Sequence, residues 1–232
     1  MAQNLSFPDA YFQFDEPVTR VDCGEFCAPY NEWGVPFCCD TRHAIPTAYP
    51  EEWEYLQANT DLWHLYQPKD ARQAASLQRQ LPENQVLIEC LGHQFCQRNF
   101  RSFVCRSFPF FPYITRQGDF LGLSVYWEYE DRCWVISHLS QVQESFRSQA
   151  IASYADLFRV YPAELESFRR FSGLMRQVFG RRRRAIPLLH RNGQTYKVTP
   201  RNGRMRRISA ERFPLLGLYK IAADLPFPGE SG

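Results

Sequence analysis

Apolar residues recur at two spacings along this chain of 232 residues, and each spacing predicts one kind of element. Steps of three and four residues predict helices, whereas alternation of apolar and polar residues predicts strands. Helices are expected from Pro50, from Pro68 to about Leu81, from near Ser140, and from Pro162 to about Gly180. Strands are expected at VLIE (86–89), in a hairpin from FFPYI to FLGLSVYW, and at CWVI, IPLLH, TYKV and RMRRI.

The starts of the predicted helices carry local signals. Pro50 stands in a first helical turn and is followed by two acidic residues, which favour the helix dipole. Ser140 and Gln143 have the spacing of a capping box. The helix from Pro162 carries an apolar stripe: Leu165, Phe168, Phe171, Met175, Val178 and Phe179. We interpret this stripe as part of the core rather than as a cofactor surface.

Composition bounds the class of protein. Hydrophobic residues make up 44% and aromatic residues 16% of the chain, which is enough to bury a core. The sequence has no apolar run of about 18 residues, so no membrane span is predicted. Its start lacks the basic and apolar regions of a secretory signal, so we expect a cytoplasmic location. Phosphate-binding glycine loops and a G-x-S-x-G elbow are absent from the sequence, and no catalytic residue is assigned.

Seven of the eight cysteines fall in two short windows of the chain. The first window holds Cys23, Cys27, Cys38 and Cys39, the second holds Cys90, Cys96 and Cys105, and Cys133 follows alone. In a reducing compartment, so many thiols favour metal binding or redox chemistry over disulfides. The alternative is that they are scattered buried thiols, and their clustering argues against it. We therefore predict all eight cysteines as candidate metal ligands.

Cysteine ligands suit both iron–sulfur clusters and zinc. The spacings C-x3-C-x10-C-C and C-x5-C-x8-C lack the C-x2-C pair of zinc ribbons and the triad of radical S-adenosylmethionine enzymes. We favour an iron–sulfur cluster, with zinc as the alternative, and one site with spare thiols rather than two sites. Adjacent Cys38 and Cys39 point in divergent directions in most backbone conformations, so we expect only one of them at a given metal.

Five other residues near the cysteines rank below them as candidates. His43, His93 and His138 are further candidate ligands, although a lone histidine near a cysteine is more often a surface or core residue. Arg101 and Arg106 are candidate hydrogen-bond donors to sulfur, although arginines beside aromatic segments commonly stack or pair with acids.

The run CRSFPF, which begins at Cys105, resembles the signature of the YkgJ-type cysteine-cluster family. Cys90, Cys96 and Arg101 precede this run in the order that the family shows. The four cysteines of the first window correspond to the family's opening cysteine box, which an insert lengthens here, and Cys133 resembles the family's late cysteine. The likeness covers roughly residues 20 to 140. The family is described as zinc- or iron-chelating and includes flagellin lysine N-methylases. The resemblance therefore implies a bound metal or iron–sulfur cluster, with a protein-modifying enzyme, by methyl transfer or redox chemistry, as an alternative function.

Charge divides the chain into an acidic part and a basic end. Residues 1–168 hold 12 Lys+Arg against 22 Asp+Glu, whereas residues 169–232 hold 15 against 3. The Asn-Gly pairs at 192–193 and 202–203 predict tight turns, so the basic end is expected to be a β-meander. One expectation is that this basic end binds an anionic partner, either nucleic acid or an acidic protein, while the cysteines hold a structural zinc. The alternative is that it neutralises the acidic part of the same chain. The candidate phosphate contacts are Arg181 to Arg184, Arg201, Arg204, Arg206 and Arg207, with Tyr196 as a stacking residue.

These features predict an α+β fold: a small cysteine-rich sheet and loop metal core covered by helices, with a basic C-terminal β-meander. We expect a cysteine-cluster metal-binding domain over residues 1–180 and a basic β-hairpin extension over residues 181–232, packed on or beside it. Residues 1–22 are expected to form an extended lead-in. The first cysteine window, which is rich in glycine and proline, is expected to be a loop without regular helix.

Overall fold

Helices and two antiparallel sheets make up the computed structural model of the chain, which describes residues 6–81 and 84–224. The predicted α+β class is therefore confirmed. The helices are α1 (Phe7–Phe12), α2 (Cys23–Cys27), α3 (Pro50–Asn59), α4 (Ala71–Gln80), α5 (Phe103–Ser107), α6 (Trp134–Ser137), α7 (Glu144–Val160), α8 (Pro162–Arg181) and α9 (Gly217–Asp224). The strands are β1 (Thr47–Ala48), β2 (Trp63–Leu65), β3 (Val86–Cys90), β4 (Phe110–Ile114), β5 (Phe120–Val125), β6 (Ile186–His190), β7 (Thr195–Val198) and β8 (Met205–Arg207).

The larger sheet has the strand order β4-β5-β6-β7-β8, and each neighbouring pair is antiparallel. The two Asn-Gly pairs form the turns around β7, where Gly193 and Gly203 have φ values of 84° and 72°. Glycine adopts such left-handed conformations without a steric penalty, which is why the sequence signal is specific. The predicted meander is thus β6-β7-β8, and it continues the β4-β5 hairpin in one sheet across the predicted domain boundary at residue 180.

Helices α7 and α8 pack on each other and on the larger sheet. The predicted apolar stripe of α8 contacts the core, where Met175 and Phe179 are fully buried. The Ile114 backbone N–H donates a hydrogen bond of 3.0 Å to Ser172 Oγ, which ties α8 to β4. In the part of the chain that the structure describes, no helix is long and apolar enough to cross a bilayer.

Buried aromatic rings fill the core between α1, α7 and the larger sheet. Phe14, Phe103, Phe110 and Phe146 are almost completely buried there, and the Phe14 ring lies 5.5 Å from the Phe146 ring. Each such side chain contributes about 2–3 kcal/mol through burial. This core includes Phe103 of α5, the helix that carries Cys105.

The smaller sheet has β3 at its centre, in the order β1-β3-β2. It has a separate small core of Ala48, Leu56, Leu62, Trp63 and Ile88. Trp63 lies opposite Cys90 in the β2–β3 register, and its indole N–H donates a hydrogen bond of 2.7 Å to the Phe100 carbonyl. The smaller sheet therefore fixes Cys90 beside the segment that contains the other cysteines of the second window.

Two predictions for the first 30 residues are wrong. The lead-in is not extended throughout, because α1 lies within it and buries Phe7 and Tyr11 against the rest of the core; residues 1–5 lie outside the described part. The first cysteine window contains the one-turn helix α2, where no regular helix was expected. Asp22 starts it, since its carboxylate accepts a hydrogen bond of 2.9 Å from the Gly24 backbone N–H.

Two predictions near Cys133 are also wrong. The run CWVI forms the short helix α6 instead of a strand, because four apolar residues do not distinguish the two. Helix α7 begins after Gln143 rather than Ser140. Gln143 is bound to the lead-in, where its backbone N–H donates to the Val18 carbonyl (3.0 Å) and its side-chain amide donates to the Pro17 carbonyl (2.8 Å).

Candidate metal centre

Helix α2 positions the first two cysteines at its two ends. Cys23 is the first residue of the helix and Cys27 the last, so one helical turn separates their side chains on the same side of the helix. The Cys27 thiol lies 3.6 Å from the Gly24 carbonyl oxygen and is buried. Cys23 is partly buried and packs against the main core.

Cys133 lies beside α2 because it caps α6, which packs on α2. The Phe26 ring stacks on Trp134 at 4.5 Å, and this contact joins the two helices next to their cysteines. Tyr219 of α9 completes the cover, since it shares a small buried cluster with Cys27 and Phe37. The C-terminal helix therefore takes part in enclosing the first cysteine window.

The second window places its three cysteines on three local structures. Cys90 ends β3, Cys96 follows a 3-10 turn over His93–Phe95, and Cys105 lies in α5. The Cys105 backbone N–H donates to Ser102 Oγ at 3.3 Å, which caps α5. Cys90 and Cys105 both pack against the small core under the smaller sheet. All three thiols are partly buried.

Cys38 and Cys39 lie between these two sets, in the 3-10 turn Phe37–Cys39. Their sulfur atoms are 4.0 Å apart. The Cys38 thiol interacts electrostatically with Cys133 and Cys23, whereas Cys39 interacts with Arg101. The two adjacent thiols therefore adjoin each other rather than diverging as expected, although their further neighbours differ.

Burial and mutual repulsion keep most of these thiols protonated in the absence of a cation. Burial, together with repulsion from neighbouring thiolates, raises the pKa of Cys23 to about 11 and that of Cys133 to about 12. Burial also raises the pKa of Cys105 to about 12, with added repulsion from Cys39 and Cys90. A bound metal cation reverses this balance, because it stabilises the thiolate form directly.

Arg101 is the positive group within the second set. Its Nε donates a hydrogen bond of 3.1 Å to the Cys96 sulfur. Burial lowers the pKa of Arg101, but the thiolates of Cys96, Cys105 and Cys39 raise it more, so the guanidinium stays charged. Arg101 therefore does what its sequence position suggested: it hydrogen-bonds a thiol sulfur.

Arg106 has a different, structural contact set. Its guanidinium donates to the carbonyls of Arg101 (2.9 Å), Asn99 (2.7 Å) and Phe14, and it lies 4.0 Å from the centre of the Tyr11 ring. These bonds join the segment after α1 to the second cysteine window. Arg106 thus supports the cysteine loop from outside, through carbonyls rather than sulfur.

Two of the three candidate histidines make contacts that explain them without a metal. His43 Nδ1 lies 3.1 Å from an Arg132 nitrogen, and its Nε2 lies 3.9 Å from Asp40. His138 stacks on Trp134 at 4.4 Å with Nδ1 2.8 Å from the Trp134 carbonyl oxygen. His93 is partly buried in the turn before Cys96.

All eight cysteines are free thiols, and they form one continuous network across the two windows and Cys133. Within residues 6–81 and 84–224, no three Cys, His, Asp or Glu side chains converge tightly enough to hold a metal ion as they stand. The donor chemistry fits a thiophilic metal, since Cys38 and Cys39 adjoin, electrostatic interactions link them to the other thiols, and Arg101 donates to the Cys96 sulfur. Binding of a metal ion by three or more of these thiols therefore requires them to move closer together.

Sequence reasoning missed two residues that shape this region. Asp22 starts α2, and its charge contributes to the raised pKa of Cys23; the short Asp-x-Gly turn at 22–24 is the signal that could have identified it. Tyr219 covers Cys27, and its hydroxyl donates to the Arg132 carbonyl at 2.8 Å. No sequence spacing predicts that contact, because almost 200 residues separate Tyr219 from Cys27.

The basic end of the chain is partly neutralised by the acidic part. Glu130, whose side chain is only 8% exposed, accepts hydrogen bonds from Arg182 (2.9 Å) and Arg184 (2.8 Å). The arginines around the β7–β8 turn are exposed instead: Arg201, Arg204, Arg206 and Arg207. Self-neutralisation therefore accounts for the base of the meander, and a cationic surface remains at its tip.

Comparison with protein-family models, with curated proteins and with solved structures finds no match to this chain. The resemblance to the YkgJ-type family therefore stays a prediction from the sequence motifs.

Proposed function

We propose that this chain is a metal-binding protein in which cysteine thiolates from both windows hold an iron–sulfur cluster or zinc. The observation that carries the proposal is the network of eight free thiols on separate elements, together with the Arg101 hydrogen bond to Cys96. Scattered structural cysteines have no reason to adjoin one another, since each buried thiol raises the cost of ionising the next.

The charge environment supports metal binding over simple thiol burial. Arg101 is a cation placed against sulfur, and hydrogen bonds to metal-bound sulfur are a common means of tuning such sites. A bound iron–sulfur cluster would supply electron transfer, and zinc would supply structural stability. We favour the cluster, and the reaction is unassigned; the protein-modifying activity implied by the resemblance stays a prediction.

The test compares Cys105→Ser with a matched control, Ser153→Ala. Ser153 is a buried residue of α7 whose hydroxyl has no hydrogen-bond partner among the described residues, so its loss should change neither metal content nor stability appreciably. Cys105→Ser should lose bound metal and unfold at lower urea concentration, because binding energy at such a site is folding energy. Unchanged metal content and stability in Cys105→Ser, or wild-type protein that is metal-free and fully folded, would refute the proposal.

A second function, single-stranded nucleic-acid binding, is favoured by the β7–β8 pair of the meander. Tyr196 lies opposite Arg207 in the β7–β8 register, so the two side chains share one face of the sheet. Arg207 and Arg212 also line a surface cleft of about 480 Å³. An aromatic ring beside arginines is the usual arrangement for stacking a base and holding its phosphate.

This second function is tested by measuring the affinity for a short single-stranded RNA between about 50 and 200 mM salt. Replacing Arg206 and Arg207 with Gln should weaken binding and reduce the slope of log K against log salt by about 0.7 per lost phosphate contact. The matched control replaces Arg159 and Arg169, exposed arginines of α7 and α8 that pair with acidic neighbours. No binding, or equal losses in the two variants, would exclude this use of the meander.

A further inference from the structure

We infer that the eight cysteines form two neighbouring four-thiol sites for a thiophilic metal, each bound as a single ion or as a cluster. The first site consists of Cys23, Cys27, Cys38 and Cys133, and the second consists of Cys39, Cys90, Cys96 and Cys105. This inference rests on the proposed function and specifies it further, since the sequence alone favours one site with spare thiols.

The first site is defined by the packing of α2 on α6. These two short helices contribute Cys23 and Cys27 from one side and Cys133 from the other, and the Phe26–Trp134 stack joins them. The fourth member, Cys38, interacts with Cys133 and Cys23. Cys133 in turn interacts electrostatically with both cysteines of α2, so each of the four interacts with at least one other member.

The second site is defined by a different core. Cys90 and Cys105 pack against the small core under the smaller sheet, whereas Cys23 and Cys133 pack against the main core. Cys105 interacts with Cys39 and Cys90, and Cys90 interacts with Cys96. Arg101 binds the Cys96 sulfur and interacts with the remaining thiols of this set apart from Cys90.

The two proposed sites are separated in the sequence between the consecutive residues Cys38 and Cys39. Cys38 and Cys39 adjoin, with sulfur atoms 4.0 Å apart. Cys38 interacts further with Cys133 and Cys23, whereas Cys39 interacts with Cys105 and Cys90, so we assign each to a different set of four. Cys27 also interacts with Cys39, which places the two sites next to each other. A tetrahedral thiolate centre takes four ligands, and the two sets supply that number without sharing a residue.

The experiment uses the full chain purified without oxygen and counts iron, zinc and acid-labile sulfide per chain. Two sites predict about two zinc ions, or iron and sulfide in the amounts of two clusters. Cys23→Ser should remove about half of the metal and Cys90→Ser about the other half. Iron with sulfide indicates clusters and zinc alone indicates single ions, and both results support the inference.

The inference would be overturned if the protein bound metal for only one site per chain, and if one of the variants Cys90→Ser and Cys23→Ser lost all of this metal while the other kept it. The proposed function would still stand after that result. Metal-free folded protein would overturn both. If either variant fails to fold, alkylation of the native protein decides: eight thiols should be protected and should become reactive after chelation. Protection of only four, with the others labelled before chelation, would also overturn the inference.

Discussion

Glu52 gives the fold a pH dependence that can be worked out from its surroundings. This residue of α3 is 1% exposed, and its carboxylate accepts hydrogen bonds from the backbone N–H groups of Phe103 (2.5 Å) and Tyr49 (3.2 Å). Burial raises its pKa to about 7, although these two donors and Arg106 lower it. The folded protein therefore keeps a proton on Glu52 over a range in which the unfolded chain has released it.

The sign and size of the effect follow from proton linkage. Because the folded pKa lies above the unfolded value of 4.5, the stabilising contribution of Glu52 is complete below pH 4.5 and is lost as the pH rises through about 7. At about 1.4 kcal/mol for each tenfold change in proton affinity, a rise from 4.5 to about 7 corresponds to about 3 kcal/mol. Glu52→Gln cannot ionise, so wild type should lose about 3 kcal/mol relative to this variant between pH 4.5 and about pH 8.

The assay is urea unfolding of wild type and Glu52→Gln at several pH values and constant ionic strength. Taking the difference between the two proteins cancels the titration of all other groups. Glu54→Gln, at an exposed position of the same helix, is the control for removing one carboxylate from α3. A difference for Glu52→Gln that stays constant would refute the reasoning. If wild type instead became more stable relative to Glu52→Gln as the pH rises, the backbone donors and Arg106 would lower the pKa of Glu52 by more than burial raises it.

Two further substitutions test how the larger sheet and the meander are held. Glu130→Gln leaves two partly exposed arginines without their shared carboxylate and should reduce the free energy of unfolding by about 1–3 kcal/mol. Glu166→Gln, which breaks the exposed pair with Arg169, is the control and should cost less. Equal losses of the two variants in urea unfolding would argue against this account of Glu130. Gly122→Ala places a Cβ against the Leu189 carbonyl oxygen and 2.8 Å from the His190 Cα, at a φ of 149°, and should lower the free energy of unfolding by more than about 3 kcal/mol. Gly118→Ala has open space around the new Cβ and should lower it by about 1 kcal/mol. Similar melting temperatures for the two variants would contradict the close approach of β5 and β6 at Gly122.

The elements that sequence reasoning identified are those whose signals are local. The Asn-Gly turns at Gly193 and Gly203 need a left-handed residue, and Pro50 and Pro162 start helices because they suit a first turn. The α8 stripe has a long period that only a helix satisfies. Such elements are specified within a few residues, so the sequence predicts them without reference to the rest of the fold.

The elements for which the sequence prediction was wrong depend on contacts with residues far away in the chain. The run after Cys133 is helical where Trp134 stacks on Phe26, more than 100 residues earlier. Helix α7 starts at Glu144 because the lead-in binds Gln143. For short segments, tertiary contacts of this kind outweigh local propensity.

The candidate site shows the same division. Clustering along the chain drew attention to seven of the eight candidate thiols, and the position of Arg101 suggested its bond to sulfur. The assignment of Cys38 and Cys39 to different neighbours required the packing of α2, α6 and the smaller sheet. Likewise, the cover that Tyr219 gives to Cys27 depends on the path of the whole chain.

The most direct test of the account is elemental analysis combined with a visible spectrum, on wild-type protein purified without oxygen. The account predicts iron with acid-labile sulfide and absorption near about 400 nm, or zinc in a colourless protein, with the metal released when the thiols are titrated. Folded protein that contains neither metal, and whose stability is unchanged by added iron, sulfide or zinc, would contradict the claim that these cysteines form a metal centre.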